Sequence, residues 1–209
     1  MTALSTVPPA GPVQGRVRWR RFAAIFIPAL LAIMVVLFLA AQGAIGVSFA
    51  ISGTPFTVKA SELSGTGFEQ WGAVDTDLSN TPHPVFVSSF NSATLTNLCQ
   101  AVSTGLPSPF PAFLLIKAGG SGTSGASATN LVVDAQSLTA DSATFNNINI
   151  GQDPNSFTNP KPSGLPNGTF GQAASSVDIT NVNQSALATT AGVFTLPGLT
   201  IGFSGTGCP

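Results

Sequence analysis

Residues 130–150 read NLVVDAQSLTADSATFNNINI. The stretch holds two β-rich runs, 130–140 and 143–150, parted by Asp141-Ser142. β-Branched and aromatic residues suit a pleated, half-buried surface, and small polar residues interrupt it. The same texture spreads in both directions. Upstream lie FTVKA (56–60), FEQWGAV (68–74), VFVSSF (85–90), TLTNLCQAV (94–102) and FPAFLLIKA (110–118); downstream lie SVDITNV (176–182) and VFTLPGLTIGF (193–203). Short runs separated by Gly, Pro, Ser or Asn are an all-β pattern. The expectation is an all-β extracytoplasmic domain at 44–209, sandwich-like or built as a curved or stacked antiparallel sheet.

Local signals add detail. VSFAI (47–51) and FTVKA flank Ser52-Gly53-Thr54-Pro55, which predicts a hairpin. Gly65-Thr66-Gly67 reads as a break between two strands, and SALATTA (185–191) as a weak helical turn. Gly- and Pro-rich stretches at 104–111, 119–128 and 152–172 read as loops, the last long enough to be a flap or mobile. Three segments share a polar-apolar-polar-Asn-apolar frame: Thr94 to Leu98, Thr144 to Ile148 and Asp178 to Val182. Such a frame suits one layer of a stacked β architecture with Asn ladders. Its unequal spacing does not establish a regular solenoid, and composition alone would also produce it.

A second pattern fixes the address. Residues 22–41, FAAIFIPALLAIMVVLFLAA, hold no charge. As a helix they would reach roughly 30 Å, one hydrocarbon core. Arg16, Arg18, Arg20 and Arg21 stand directly before them with Trp19 among them. Clustered cations keep the N-terminal side in the cytoplasm, and an indole suits the headgroup level. The expected organisation is a cytoplasmic tail with a basic juxtamembrane segment at 1–21, a transmembrane signal anchor at 22–43, and the exported domain beyond. A cleaved signal peptide is the competing reading, with Ala41-Gln42-Gly43-Ala44 offering small residues; the apolar run is longer than most secretory ones. The predicted location is the plasma membrane, single-pass, with the lipid bilayer as first partner.

Composition then excludes function classes. Charged residues make up 7% of the chain, and 15 Phe stand beside no Tyr. The exported part carries Lys59, Lys117 and Lys161 against eight acids, a net −5 that disfavours a nucleic-acid partner. Cys99 and Cys208, an even pair in an exported domain, predict one disulfide. His83 is the single histidine, set between Pro82 and Pro84 in a turn. No stretch reads G-x-S-x-G; the nearest, Gly122 to Ala126, lies in a Gly/Ser loop. One His and two distant Cys rule out the usual zinc spacings, and Asp75-Thr76-Asp77 lacks the rest of a calcium loop. No cofactor, metal or catalytic residue is predicted.

GRVRWRRFA (15–23), AQGAIGVSFAISG (41–53), TGFEQWGAVD (66–75), TLTNLCQ (94–100), NLVVDAQSLTADSATFNNINIG (130–151) and ALATTAGVFTLPGLTI (186–201) occur in that order. Together with the late Cys208 they resemble actinobacterial single-pass envelope proteins of the domain of unknown function 6230 family. The resemblance covers most of the chain and is weakest in the tail and at 104–111 and 152–172. It implies no settled activity. Members often carry the label cholesterol esterase, and are often encoded beside a small multi-span membrane protein. The residues give the esterase label no support.

The functional expectation is a membrane-anchored, non-enzymatic envelope module for interaction or assembly, with a multi-span membrane protein as a candidate partner. The alternative is a hydrophobic-ligand (lipid) binder using Phe90, Phe110, Phe113 and Phe145. A serine esterase working through His83 is the third reading.

Overall fold

The computed structural model describes Trp19 and residues 26–30, 51–107, 109–110, 112–159, 165 and 168–209. The chain divides into two units, Met1–Gln42 and Gly43–Pro209. In the first, Trp19 and residues 26–30 are helical and exposed. Most of the predicted span lies outside the described residues, as do Arg16, Arg18, Arg20 and Arg21. No helix among the described residues is long and apolar enough to cross a membrane.

The second unit is one antiparallel sheet of ten strands. These are β1 (Phe56–Thr76), β2 (Pro82–Thr96), β3 (Leu98–Ser103), β4 (Phe113–Ala118), β5 (Ala126–Thr139), β6 (Ser142–Asn146), β7 (Asn149–Gln152), β8 (Gly171–Thr190), β9 (Val193–Thr195) and β10 (Thr200–Ser204). Register reduces them to four long paths, because neighbouring strands continue one another against a common partner. β2 and β3 run along one edge of β1, and β5, β6 and β7 run along one edge of β8. A single sheet replaces the sandwich option, leaving the curved-sheet one.

The sheet closes on itself. Gly72 pairs with Phe86, Phe86 with Ala135, Ala135 with Ala186, and Ala186 with Phe56. The circuit therefore returns to β1 sixteen residues before the point where it left. Four strand spacings amount to roughly 19 Å across, against about 53 Å along the chain for that offset. Such a stagger tilts the strands far from the axis, so they wind around a narrow core as a coil.

A strand wound this tightly must bend, and the bends fall on Asn. Asn97, Asn130, Asn147 and Asn181 all lie in the left-handed region, at φ 52, 47, 52 and 52°. Asn tolerates that region better than other residues bearing a Cβ. Each turns the chain without inserting a residue, since the pairing register is the same on either side of it, and the side chains two before and one after it face the same way. Leu95 and Leu98, Ala128 and Leu131, and Ile179 and Val182 are thus buried at intervals of three where strict alternation gives two. The recurring frame is the mark of these bends. Its fourth instance, Ser127 to Leu131, does not stand out in the sequence because Ala128 and Leu131 look like ordinary strand residues.

The bends line up in two creases. Register sets Ser61 between Asn97 and Asn181, and polar bonds hold the row. Asn97 Nδ2 donates to Ser61 Oγ (3.0 Å), the Asn97 N–H to the Gly119 carbonyl (2.8 Å), and Asn181 Nδ2 to Asp141 Oδ2. The second crease passes Asn130, Asn91, Gly67 and Ser175, where Asn147 Nδ2 donates to Ser175 Oγ (3.3 Å). Gly67, at φ 62°, packs against Asn91 so closely that a Cβ would overlap the amide.

Several expectations are corrected. Gly65-Thr66-Gly67 interrupts no strand: β1 runs through it, because the crease re-aims the chain without breaking the pairing. SALATTA is strand through Thr190, the last part of β8, since it lies along β5. The loop expected at 119–128 ends at 125, and 126–128 belong to β5. β1 pairs with β2, β3 and β8, while Ile51 bridges Asp77 in parallel, which is not the predicted hairpin at 52–55. Residues 47–50 lie outside the described ones.

Candidate functional site

The coil encloses an apolar void of about 140 Å³, lined from every long path by side chains that include Leu63, Phe90, Leu131, Phe145 and Ile179. Phe68 lies between Phe90 and Phe145, with ring centroids at 5.5 and 5.4 Å. A void of this size forfeits on the order of 3 kcal/mol of packing at about 24 cal/mol per Å³.

Two cross-strand rows bring polar groups to it. Residues directly opposite on neighbouring strands share a face. Gln70, Ser88, Val133 and Thr189 form one row, and all four line the void. Gln70 and Ser88 satisfy each other (2.8 Å), with Gln172 Nε2 donating to Gln70 Oε1 (2.6 Å). Thr189 Oγ1 is buried with no partner. The other row reads Gln184, Val58, Gln100, Ile116, Ile201. Its first three members line the void, Ile116 is half-buried, and Ile201 is 62% exposed.

The opposite face of the sheet carries a second, smaller core. Trp71, Val87, Asp134 and Ala188 form a row pointing away from the void, and Phe157, Leu187 and Ile51 pack with Trp71. Trp71 is 2% exposed and meets Phe157 at 6.0 Å between ring centroids. The cover comes from the long 152–172 stretch, which has structure of its own: a 3₁₀ turn at Pro154–Ser156, capped by the Asp153 side chain. Glu69 clamps it. Its Oε1 accepts from the Thr158 N–H (2.8 Å) and its Oε2 from the Asn159 N–H (2.9 Å). Asn159 Nδ2 in turn reaches the Gly67 carbonyl and Ser89 Oγ.

Acids gather beside that cover. Burial, and then the Asp75 charge, push the Asp134 carboxyl up to about 7. Asp75 is raised by burial, opposed by His83, and its Oδ2 has no partner. Asp77 behaves oppositely: the backbone N–H of Thr81 and the His83 ring hold it below the usual range. Its Oδ1 caps a turn through the N–H groups of Ser79 (2.7 Å) and Thr81 (2.9 Å), and its Oδ2 lies 3.1 Å from His83 Nε2. His83 thus anchors a turn through an acid, with no serine hydroxyl bonded to it among the described residues. No group of three or more His, Cys, Asp or Glu among the described residues is placed to hold a metal ion.

At the C-terminus, Cys99 and Cys208 form the predicted disulfide, with Cα atoms 5.9 Å apart. The tail is held further by Lys59, whose Nζ donates to the Cys208 carbonyl (3.3 Å) and to Pro209 O (2.9 Å). Of the four Phe expected to hold a ligand, Phe90 and Phe145 line the void. Phe110 is exposed, and Phe113 sits half-buried in β4 against Gly207. Gln184, Gln100 and Thr189 escaped the sequence reading because a polar residue in a strand reads as facing solvent until register is known.

A family model described as "Family of unknown function (DUF6230)" matches residues 52–209. The chain belongs to that family, and the match spans the coiled β unit. Among curated proteins and solved structures, nothing matches it.

Proposed function

We propose that the protein is a membrane-anchored, non-enzymatic envelope module that works by contact, through the free edge of its β10 lobe. One observation carries the reading. Among the described residues β10 pairs only with β4, leaving its outer edge open, and that edge bears Ile201 and Phe203 at 62% and 67% exposure. Unpaired N–H and C=O groups beside apolar side chains form a template that native proteins usually cover. A partner adding a strand there would gain main-chain hydrogen bonds and bury both residues. The expected partner is a multi-span membrane protein, because the 22–41 run tethers the module within ten residues of Ile51, keeping it close to the bilayer. The disulfide supports an oxidising compartment outside the cytoplasm. The lipid-binding alternative is weaker, since a void near 140 Å³ matches a benzene-sized guest and is short of an acyl chain.

Photo-crosslinking from position 201 or 203 of the full chain in native membranes tests the reading. A discrete adduct with one integral membrane protein is the expected result. Adducts with lipid alone, or none, would overturn it.

A further inference from the structure

We propose that the void inside the coil is a binding site for a small, mainly apolar molecule, one ring or a short branched chain in size, carrying one hydrogen-bonding group. The inference is independent of the contact reading: a void that binds nothing leaves the β10 edge as it is.

Size comes first. At about 140 Å³ the void nearly equals an engineered apolar cavity of about 150 Å³ that stays dry and takes up benzene. Its walls, Leu63, Phe90, Leu131, Phe145 and Ile179, offer apolar contact from several sides. A purely structural core would close such a space by substituting larger side chains, since dense packing is the norm.

Polarity gives the second feature. Buried polar atoms almost always find partners. Thr189 Oγ1 is buried, unpartnered and on the wall of the void. Its register neighbours along the same row, Gln70 and Ser88, are already bonded. Further along β8, Gln184 lines the same space at 8% exposure. A residue with an unpartnered hydroxyl on the wall of an apolar hollow is the complement of a ligand with an apolar body and one polar atom. Entry has a route: Leu138 and Ala143 are part of the lining, and both are exposed.

The test uses the full chain in nanodiscs, with benzene and phenol as probes, read by the NMR shifts of the Leu63, Leu131 and Ile179 methyl groups. Both probes are expected to bind saturably, phenol about tenfold more tightly, as one hydrogen bond to a buried hydroxyl provides. Thr189→Val should leave benzene binding intact and remove phenol's advantage, whereas Thr189→Ser should retain it. The proposal is overturned if neither probe saturates those methyl shifts, if phenol binds no better than benzene, or if the advantage survives in Thr189→Val.

Discussion

Asp134 shows how a single position answers to what covers it. By alternation it belongs with the solvent-facing residues of its strand, yet its row is Trp71, Val87 and Ala188, a face that the 152–159 stretch roofs over. Burial then favours the protonated acid, raising its pKa from 3.8 to about 7. The sign follows from linkage. The folded state binds the proton more tightly than the unfolded one, so this stability is complete below about pH 4 and is lost as pH rises through 7. Thermal melts followed by circular dichroism should show the midpoint falling between about pH 4 and pH 7. Asp134→Asn should remove most of that slope and raise the midpoint at the upper end. A wild-type midpoint that rises across the same range would contradict the assignment.

The bend residues carry a second prediction at this scale. A β-branched residue forced into the left-handed region costs roughly 1 to 2 kcal/mol, while glycine adopts it freely. Asn130, at φ 47°, has its amide beside Gly192. Asn130→Val should therefore lower stability by about that amount, and Asn130→Gly by little, as read from the urea midpoint. Equal losses in the two variants would mean that the amide contacts, not the backbone, set the choice of Asn.

Among the elements, the strands themselves were legible, because β-branched and aromatic runs state their type locally. What joined them was not. Nothing in TGFEQWGAV says that the chain continues through Gly65-Thr66-Gly67, since a glycine pair reads equally as a turn or as a crease in a long strand. The frame around Asn97, Asn147 and Asn181 was visible, but its meaning depends on φ, which composition does not encode. The 152–172 stretch reads as a loop; its role as a roof rests on Glu69, whose partners lie about ninety residues away in sequence. Charge-assisted bonds of this kind contribute about 1.5 to 3 kcal/mol each. Because they fasten one segment, their loss should appear as local opening. Glu69→Gln should speed amide exchange at Thr158 and Asn159 far more than at Val177, which is fully buried within β8. Uniform acceleration at all three sites would show that the clamp supports the whole coil instead.

For the whole molecule, the closing link is the disulfide. It joins Cys99 to Cys208 across 109 residues, which in the chain-entropy model is worth about 4 to 5 kcal/mol. It also fixes the tail beside β3, close to where the sheet stops being closed. Beyond Phe56, β3, β4 and β10 extend as an open lobe, and the row of Gln184 and Val58 that lines the void continues onto it through Gln100, Ile116 and Ile201. The apolar inner face of the coil thus comes to the surface on β10, where Ile201 and Phe203 stand exposed. If that edge serves the partner and not the fold, its side chains can change without unfolding the protein. Ile201→Lys with Phe203→Lys should shift the denaturation midpoint little, since exposed substitutions usually change stability by less than about 0.5 kcal/mol. The same pair should abolish co-purification with the membrane partner, because charge on an edge strand blocks strand addition. A large loss of stability would place the two residues in the fold's own core, and an unaltered complex would move the contact to another face.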